Sequence, residues 1–185
     1  MKSRSKTKFN TNASLTAKPA ADFPVKAPYA TYKVVCRGPD GETKWTEEFR
    51  NLVVTEGRND VLNKYFKGSS YTAVWYVGLK SSAGGTAAGD TLASHAGWTE
   101  TTSYSGNRKA VTFGTVSAGS VDNSGSPCSF AMTGTVTVYG CFLATVDTGT
   151  SGTLYSVGDF SLSKAVTSGD TLSVTVTLTM ADDGV

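Results

Sequence analysis

The chain's single histidine, His95, follows Asp90 by five residues and precedes Trp98 by three. An imidazole beside a carboxylate is the smallest unit able to act in general acid–base chemistry. A lone histidine next to a tryptophan is more often a packed, hydrogen-bonded side chain, and His95 is read that way. Cysteine–histidine catalysis would need Cys36, Cys128 or Cys141 close to His95, and the spacing gives no sign of it. Three cysteines without a C-x-x-C pair, in a chain with one histidine, argue against a disulfide scaffold and a zinc site. They read as buried free thiols of a protein made in a reducing cytoplasm. The adjacent acids Glu47 and Glu48 point to opposite faces of a strand, and Asp182 with Asp183 sits in a polar tail. A glycosidase needs two carboxyls held across a cleft, roughly 5–9.5 Å apart. The chain has no G-x-S-x-G elbow, phosphate loop, H-E-x-x-H or EF-hand loop. It is therefore read as a non-enzyme without catalytic residues, metal or cofactor.

Recognition is the other chemistry available. Trp75 falls on the buried face of its expected strand. Tyr76, on the opposite face, and His95 and Trp98, in a loop region, are the candidates for surface recognition. A second candidate is the N-terminal stretch. Residues 1–28 carry Lys2, Arg4, Lys6, Lys8, Lys18 and Lys26 against Asp22, a net of +5, which leaves −3 for residues 29–185 of a chain totalling +2. The same stretch holds few large apolar side chains (Phe9, Leu15, Phe23 and Val25) and prolines at 19, 24 and 28. Such a composition does not fold alone, so residues 1–28 read as an extended basic arm. Lys2, Arg4, Lys6, Lys8, Phe9, Leu15, Phe23 and Val25 are its expected partner-binding residues. Phosphate contact is one use for it. Four basic residues in the first eight, with no interleaved aromatics, favour a protein partner over nucleic acid.

The elements that must position these residues are mostly strands. Thr171 to Met180 alternates without a break, with Leu172, Val174, Val176, Leu178 and Met180 on one face and hydroxyl residues on the other. Tyr29–Arg37 and Glu42–Arg50 read as a hairpin around Gly38-Pro39-Asp40-Gly41. Further strands are expected at Tyr71–Lys80, Arg108–Val116, Ser129–Tyr139, Cys141–Val146 and Thr153–Leu162. The one helix follows Thr55 as N-cap, with Glu56 in its first turn, Val61, Leu62, Tyr65 and Phe66 on one face, and Gly68 closing it. Gly-Asp-Thr-Leu occurs at Gly89 and again at Gly169, too short a match to claim a repeat. Twenty glycines and only 17% charged residues suit many tight turns. The expected fold is mainly β, a single sandwich or jelly-roll-like domain over 29–185 with one short helix and the arm. No apolar run reaches membrane-span length, and no apolar segment follows the basic start as in a secretory signal.

From about Asn51 onward the chain resembles a family of small structural proteins encoded among the virion genes of tailed bacteriophages. The resemblance rests on Thr55-Glu56-Gly57 through Leu62, on Trp75-Tyr76-Val77-Gly78-Leu79, and on the run Ala88-Gly89-Asp90-Thr91-Leu92-Ala93-Ser94-His95-Ala96-Gly97-Trp98-Thr99-Glu100. It extends to Ser168-Gly169-Asp170-Thr171-Leu172 and the closing Ala181-Asp182-Asp183-Gly184-Val185. It implies a non-enzymatic virion component, a capsid decoration or a neck or tail accessory. Such a protein would assemble through its arm and sheet surfaces with other virion proteins (capsid, portal, neck or tail) and with copies of itself. The alternative it leaves open is a receptor- or glycan-binding module of the virion, which would need exposed aromatics clustered in a groove.

Overall fold

The computed structural model describes residues 28–82 and 84–180. Its elements, in chain order, are β1 (Tyr29–Arg37), β2 (Thr43–Val53), α1 (Thr55–Val61), a π-helical turn over Leu62–Phe66, and β3 (Tyr76–Lys80). The short strands β4 (Glu100–Thr101), β5 (Lys109–Ala110), β6 (Ser120–Asp122) and β7 (Cys128–Ala131) follow. The chain then forms β8 (Val136–Ala144), β9 (Leu154–Val166) and β10 (Thr171–Thr179). All pairings are antiparallel, and the path across the sheet runs β4-β3-β8-β9-β2-β1-β10-β6. This is the mainly β fold expected, its two faces being the halves of one curled sheet, a half-barrel.

The curl is made by β2. Ala30 to Arg37 of β1 pair with its residues up to Asn51, while only Leu52 and Val53 pair with β9. One strand thus belongs to both halves, and their inner faces close on a shared core. Tyr32, Val34 and Cys36 of β1 and Leu172, Val174 and Val176 of β10 enter it from one side. Val77, Leu79, Cys141 and Leu143 enter from the other. The alternation of β10 is thus realised as read.

β3, residues 140–144 of β8 and residues 154–158 of β9 are buried on both faces. Their outer face carries Phe142, Ala144, Leu154 and Val157, covered by Leu92 and Trp98 from the loop between β3 and β4. That loop has little regular structure, but two large apolar residues suffice to make it a lid on the sheet.

Several expected strands are corrected. The strand expected over Tyr71–Lys80 begins only at Tyr76, and that over Arg108–Val116 shrinks to two residues. Cys141–Val146 is not a separate strand but the end of β8, because Gly140 does not break the ladder. Gly140 pairs with Lys80 on one side and Asp159 on the other, and the Lys80 ammonium reaches across it to the Asp159 carboxylate. A Cβ at 140 would lie 2.9 Å from the Asp159 Cα. Glycine here is a crossing point for a fully buried lysine.

The two Gly-Asp-Thr-Leu stretches adopt the same turn. The Asp170 amide donates to the Thr167 carbonyl (3.1 Å), and its carboxylate accepts from the Thr167 amide (2.9 Å). Asp90 repeats both bonds with Ala87, at 3.0 and 3.1 Å. Each aspartate is buried and holds further groups: Lys44 Nζ at 2.7 Å and the Cys36 thiol at 3.9 Å for Asp170, Trp98 Nε1 at 3.1 Å for Asp90. Burial works to raise the Asp170 pKa, but the Lys44 ammonium and the Thr167 amide outweigh it and hold the carboxyl below its ordinary value. A depressed folded-state pKa contributes stability above the unfolded-state value, about 3.9 for aspartate, and that contribution is lost as pH falls through the folded-state value. Asp170→Asn is expected to cost about 1–3 kcal/mol in denaturant unfolding at pH 7. It should also flatten the loss of stability below about pH 4. Glu47, lowered by its Ser161 hydrogen bonds and Lys164, and Asp122, lowered by its Ser124 hydrogen bonds, add acid sensitivity of the same sign. An acid limb as steep in the variant as in the parent would remove Asp170 from this role.

Candidate interaction surface

The histidine candidate is a stacked side chain. His95 lies flat on Trp98, ring centroids 3.7 Å apart at 13°, and its Nδ1–H donates to the Trp98 carbonyl at 3.0 Å. Asp90 is engaged by Ala87 and the Trp98 indole, so no acid–base pair forms with His95. Trp98 itself is 3% exposed, which corrects its reading as a surface residue: the indole seals the outer face of β8 against Phe142. Tyr76 is half-buried at the opposite end of β3 from Lys80, whose ammonium sits over the Trp98 ring. Four residues of strand, about 13 Å, separate those ends. The three recognition candidates therefore form no common site. Lys2, Arg4, Lys6, Lys8, Phe9, Leu15, Phe23 and Val25 lie outside the described residues.

The acids are likewise taken up. Glu47 is buried and accepts from the Ser161 amide and Lys164, while Glu48 is exposed, the opposed orientation expected of neighbours on a strand. Glu100 receives a two-pronged hydrogen bond from Arg108 at 2.9 and 2.7 Å, and that buried guanidinium also holds the Val146 and Gly149 carbonyls. Among the described residues no group of histidines, cysteines and acids is placed to hold a metal ion. No helix there is long and apolar enough to cross a membrane.

What the structure does present is an apolar face around α1. Its start is fixed firmly. The Val54 and Thr55 amides donate to the Tyr155 and Ala88 carbonyls, at 3.1 and 2.8 Å. Glu56 Oε2 accepts the Leu154 amide at 2.7 Å and the Leu92 amide at 3.3 Å. Thr55 is the first helical residue rather than the N-cap, which is Val54 without a side-chain cap. The orphan amides of a helix start are usually met by a capping side chain. Here the first turn's own acid instead reaches outward to two neighbouring segments. Buried Gly57 lets the helix lie directly on β9, where a Cβ would sit 2.7 Å from the Tyr155 Cα.

The far end of the helix turns outward. Of the apolar face read from the sequence, only Val61 packs against the core. Leu62, Tyr65 and Phe66 are 53, 80 and 72% exposed. The π-helical turn widens the helix there, and Tyr65 and Phe66 stack edge to face at 5.0 Å. Tyr71 and Trp75 continue the surface, the Trp75 indole donating to the Tyr71 hydroxyl at 3.1 Å and Lys64 lying 5.2 Å above the Tyr71 ring. Three adjoining hollows of about 300, 280 and 240 Å³ surround this helix and share Val61, Trp75, Tyr155 and Met180 between them. Exposed Val116 and Met180 extend the apolar rim. Contiguous apolar surface of this kind marks an interaction site more often than it marks chance.

A sheet whose polar side chains are spent on its own backbone, with an apolar helix face turned outward, is built to hold a surface in place. Residues 53–180, more than two thirds of the chain, match the family model described as podophage GP4 fiber I protein gp80. The chain belongs to that family, one of tailed-phage virion proteins. The description names a fibre and neither a capsid nor a neck. No curated protein matches the chain.

Two measurements check this geometry. Gly57→Ala is expected to destabilise the fold by about 1–3 kcal/mol, because the methyl meets backbone that cannot yield. A neutral effect in denaturant unfolding would mean α1 is not seated on β9 as described. The thiols of Cys36, Cys128 and Cys141 are free and buried. Burial pushes Cys36 and Cys128 up to about 11 and Cys141 higher still. All three are expected to react with a thiol reagent only upon unfolding. Rapid labelling of the native protein, or a Cys128–Cys141 disulfide in its mass spectrum, would contradict that.

Proposed function

We propose that the protein is a non-enzymatic structural component of the phage fibre, attached to neighbouring virion proteins through the apolar face of α1 and through its arm. The outward-turned Leu62, Tyr65 and Phe66 carry this reading, because a solvent-facing aliphatic and aromatic cluster gains most by being covered. The family match supports the virion setting. In this reading the chain is made in the host cytoplasm, where its thiols stay reduced, and takes its place in the particle beside further copies of itself. The +5 arm then reaches a protein neighbour rather than nucleic acid. Capsid decoration and a neck position are the less favoured placements.

A second reading has its own observation. Tyr65, Tyr71 and Trp75 share one hollow with Asp60 and Lys64, an aromatic groove edged by charged groups of the kind that stacks and hydrogen-bonds a glycan.

One pair of phage variants separates the two. Tyr65→Ser with Phe66→Ser touches exposed positions, where substitutions change stability by about 0.5 kcal/mol or less. It is expected to lower the copies retained in purified particles by at least about tenfold, a loss of roughly 1.4 kcal/mol of attachment. Normal incorporation would sink the attachment reading. Tyr71→Ala with full incorporation but failed adsorption to host cells would establish the glycan reading in its place.

A further inference from the structure

The hollow between α1 and the ends of the central strands has an unusual wall. Pro28, the residue that joins the arm to β1, lines it together with Val53, Leu62, Phe66, Tyr155 and Met180. It holds about 280 Å³, and the chain preceding Pro28 therefore leaves the body at the hollow's rim. Twenty-seven residues precede that point, and the last large apolar ones among them are Phe23 and Val25. An extended chain spans at most about 3.3–3.6 Å per residue. Val25, three residues back, and Phe23, five back, thus reach at most roughly 11 and 18 Å from Pro28.

We propose that Phe23-Pro24-Val25 of the same chain occupies this hollow, fastening the root of the arm against α1. Three features of the page favour this occupant over a separate protein. The segment's attachment point is already part of the wall, so its effective concentration at the hollow is high. Proline at 24 and 28 disfavours helical backbone for the residue before each, which reduces the freedom lost on docking. The hollow's lining is aliphatic and aromatic apart from Arg58, which suits Phe23 and Val25 and gives no anchor to the arm's lysines. The four basic residues at Lys2, Arg4, Lys6 and Lys8 then lie beyond the fastened root, free to meet a neighbour. The proposal concerns the arm's root alone; of the attachment face it uses Leu62 and Phe66, whereas Tyr65 lines the neighbouring hollow.

The test uses the full-length chain with a benzophenone amino acid in place of Phe23. After irradiation and digestion, cross-links are mapped by mass spectrometry on an equal mixture of isotope-labelled and unlabelled protein. The expected product joins residue 23 to Val53–Phe66 or to Met180 within one isotope class. Leu62→Glu, an exposed substitution at the hollow's edge, should lower that yield at least fivefold while the far-ultraviolet circular dichroism is kept. Cross-links between isotope classes would overturn the proposal in favour of a second copy's arm. Cross-links confined to other surfaces, their absence, or a yield indifferent to Leu62→Glu would overturn it outright. Particle incorporation is scored on the same variants, so normal incorporation of Leu62→Glu with a lowered cross-link yield condemns only the attachment reading.

Discussion

A curled sheet with short edge strands leaves backbone amides stranded where a ladder stops, and this fold answers several of them with side-chain acceptors. A buried amide without a partner costs about 1–3 kcal/mol. Glu56 takes the Leu92 and Leu154 amides, Glu47 takes Ser161, Asp90 takes Ala87 and Asp170 takes Thr167. Asn123 does more. Its side chain accepts the Val176 amide at 2.7 Å and donates to the Val174 carbonyl at 3.4 Å. It thereby stands in for strand backbone in the gap where β6 has ended along β10 and β7 has not begun to pair. Remove these acceptors and the lid loop, the start of α1 and the edge of β10 lose their anchorage together.

That constraint accounts for the absence of any acid–base pair among the groups examined at His95. Carboxylates bound to backbone amides or to Lys44, Lys164 and Arg108 are charge-satisfied and immobile, which is the opposite of a group poised to exchange a proton. The surface chemistry left over is apolar, and it collects at α1 because the helix is fixed only at its first turn. Bolted by Glu56 and seated through Gly57, it projects its second half beyond the sheet, where no strand is available to cover it.

The limits of the family match sharpen this picture. The match begins at Val53, the last residue of β2, so β1 and nearly all of β2 fall before it. Yet those two strands occupy the middle of the sheet, between β9 and β10. In this chain the matched strands are therefore held together by a hairpin from outside the matched stretch. The same hairpin places Pro28, the residue before β1, beside α1.

Legibility followed the physics of period and length. β10 could be read almost residue by residue, because strict alternation admits one burial pattern, and only Met180, read on the core face, is exposed beyond its end. β8 was split in the reading because Gly140 looks like a break until the buried Lys80 is seen crossing it. Trp98 was misassigned because nothing local says that a glycine- and serine-rich loop will be pulled onto a sheet's outer face. The signal lay in β8 itself: Cys141-Phe142-Leu143-Ala144 is apolar at every position, and a strand apolar on both faces requires a cover on each. The helix failed in the other direction. Val61, Leu62, Tyr65 and Phe66 form a stripe that sequence alone assigns to a core, yet the fold leaves it uncovered past Val61. An apolar stripe on a securely anchored helix, with no strand opposite it, is where the search for a partner should start.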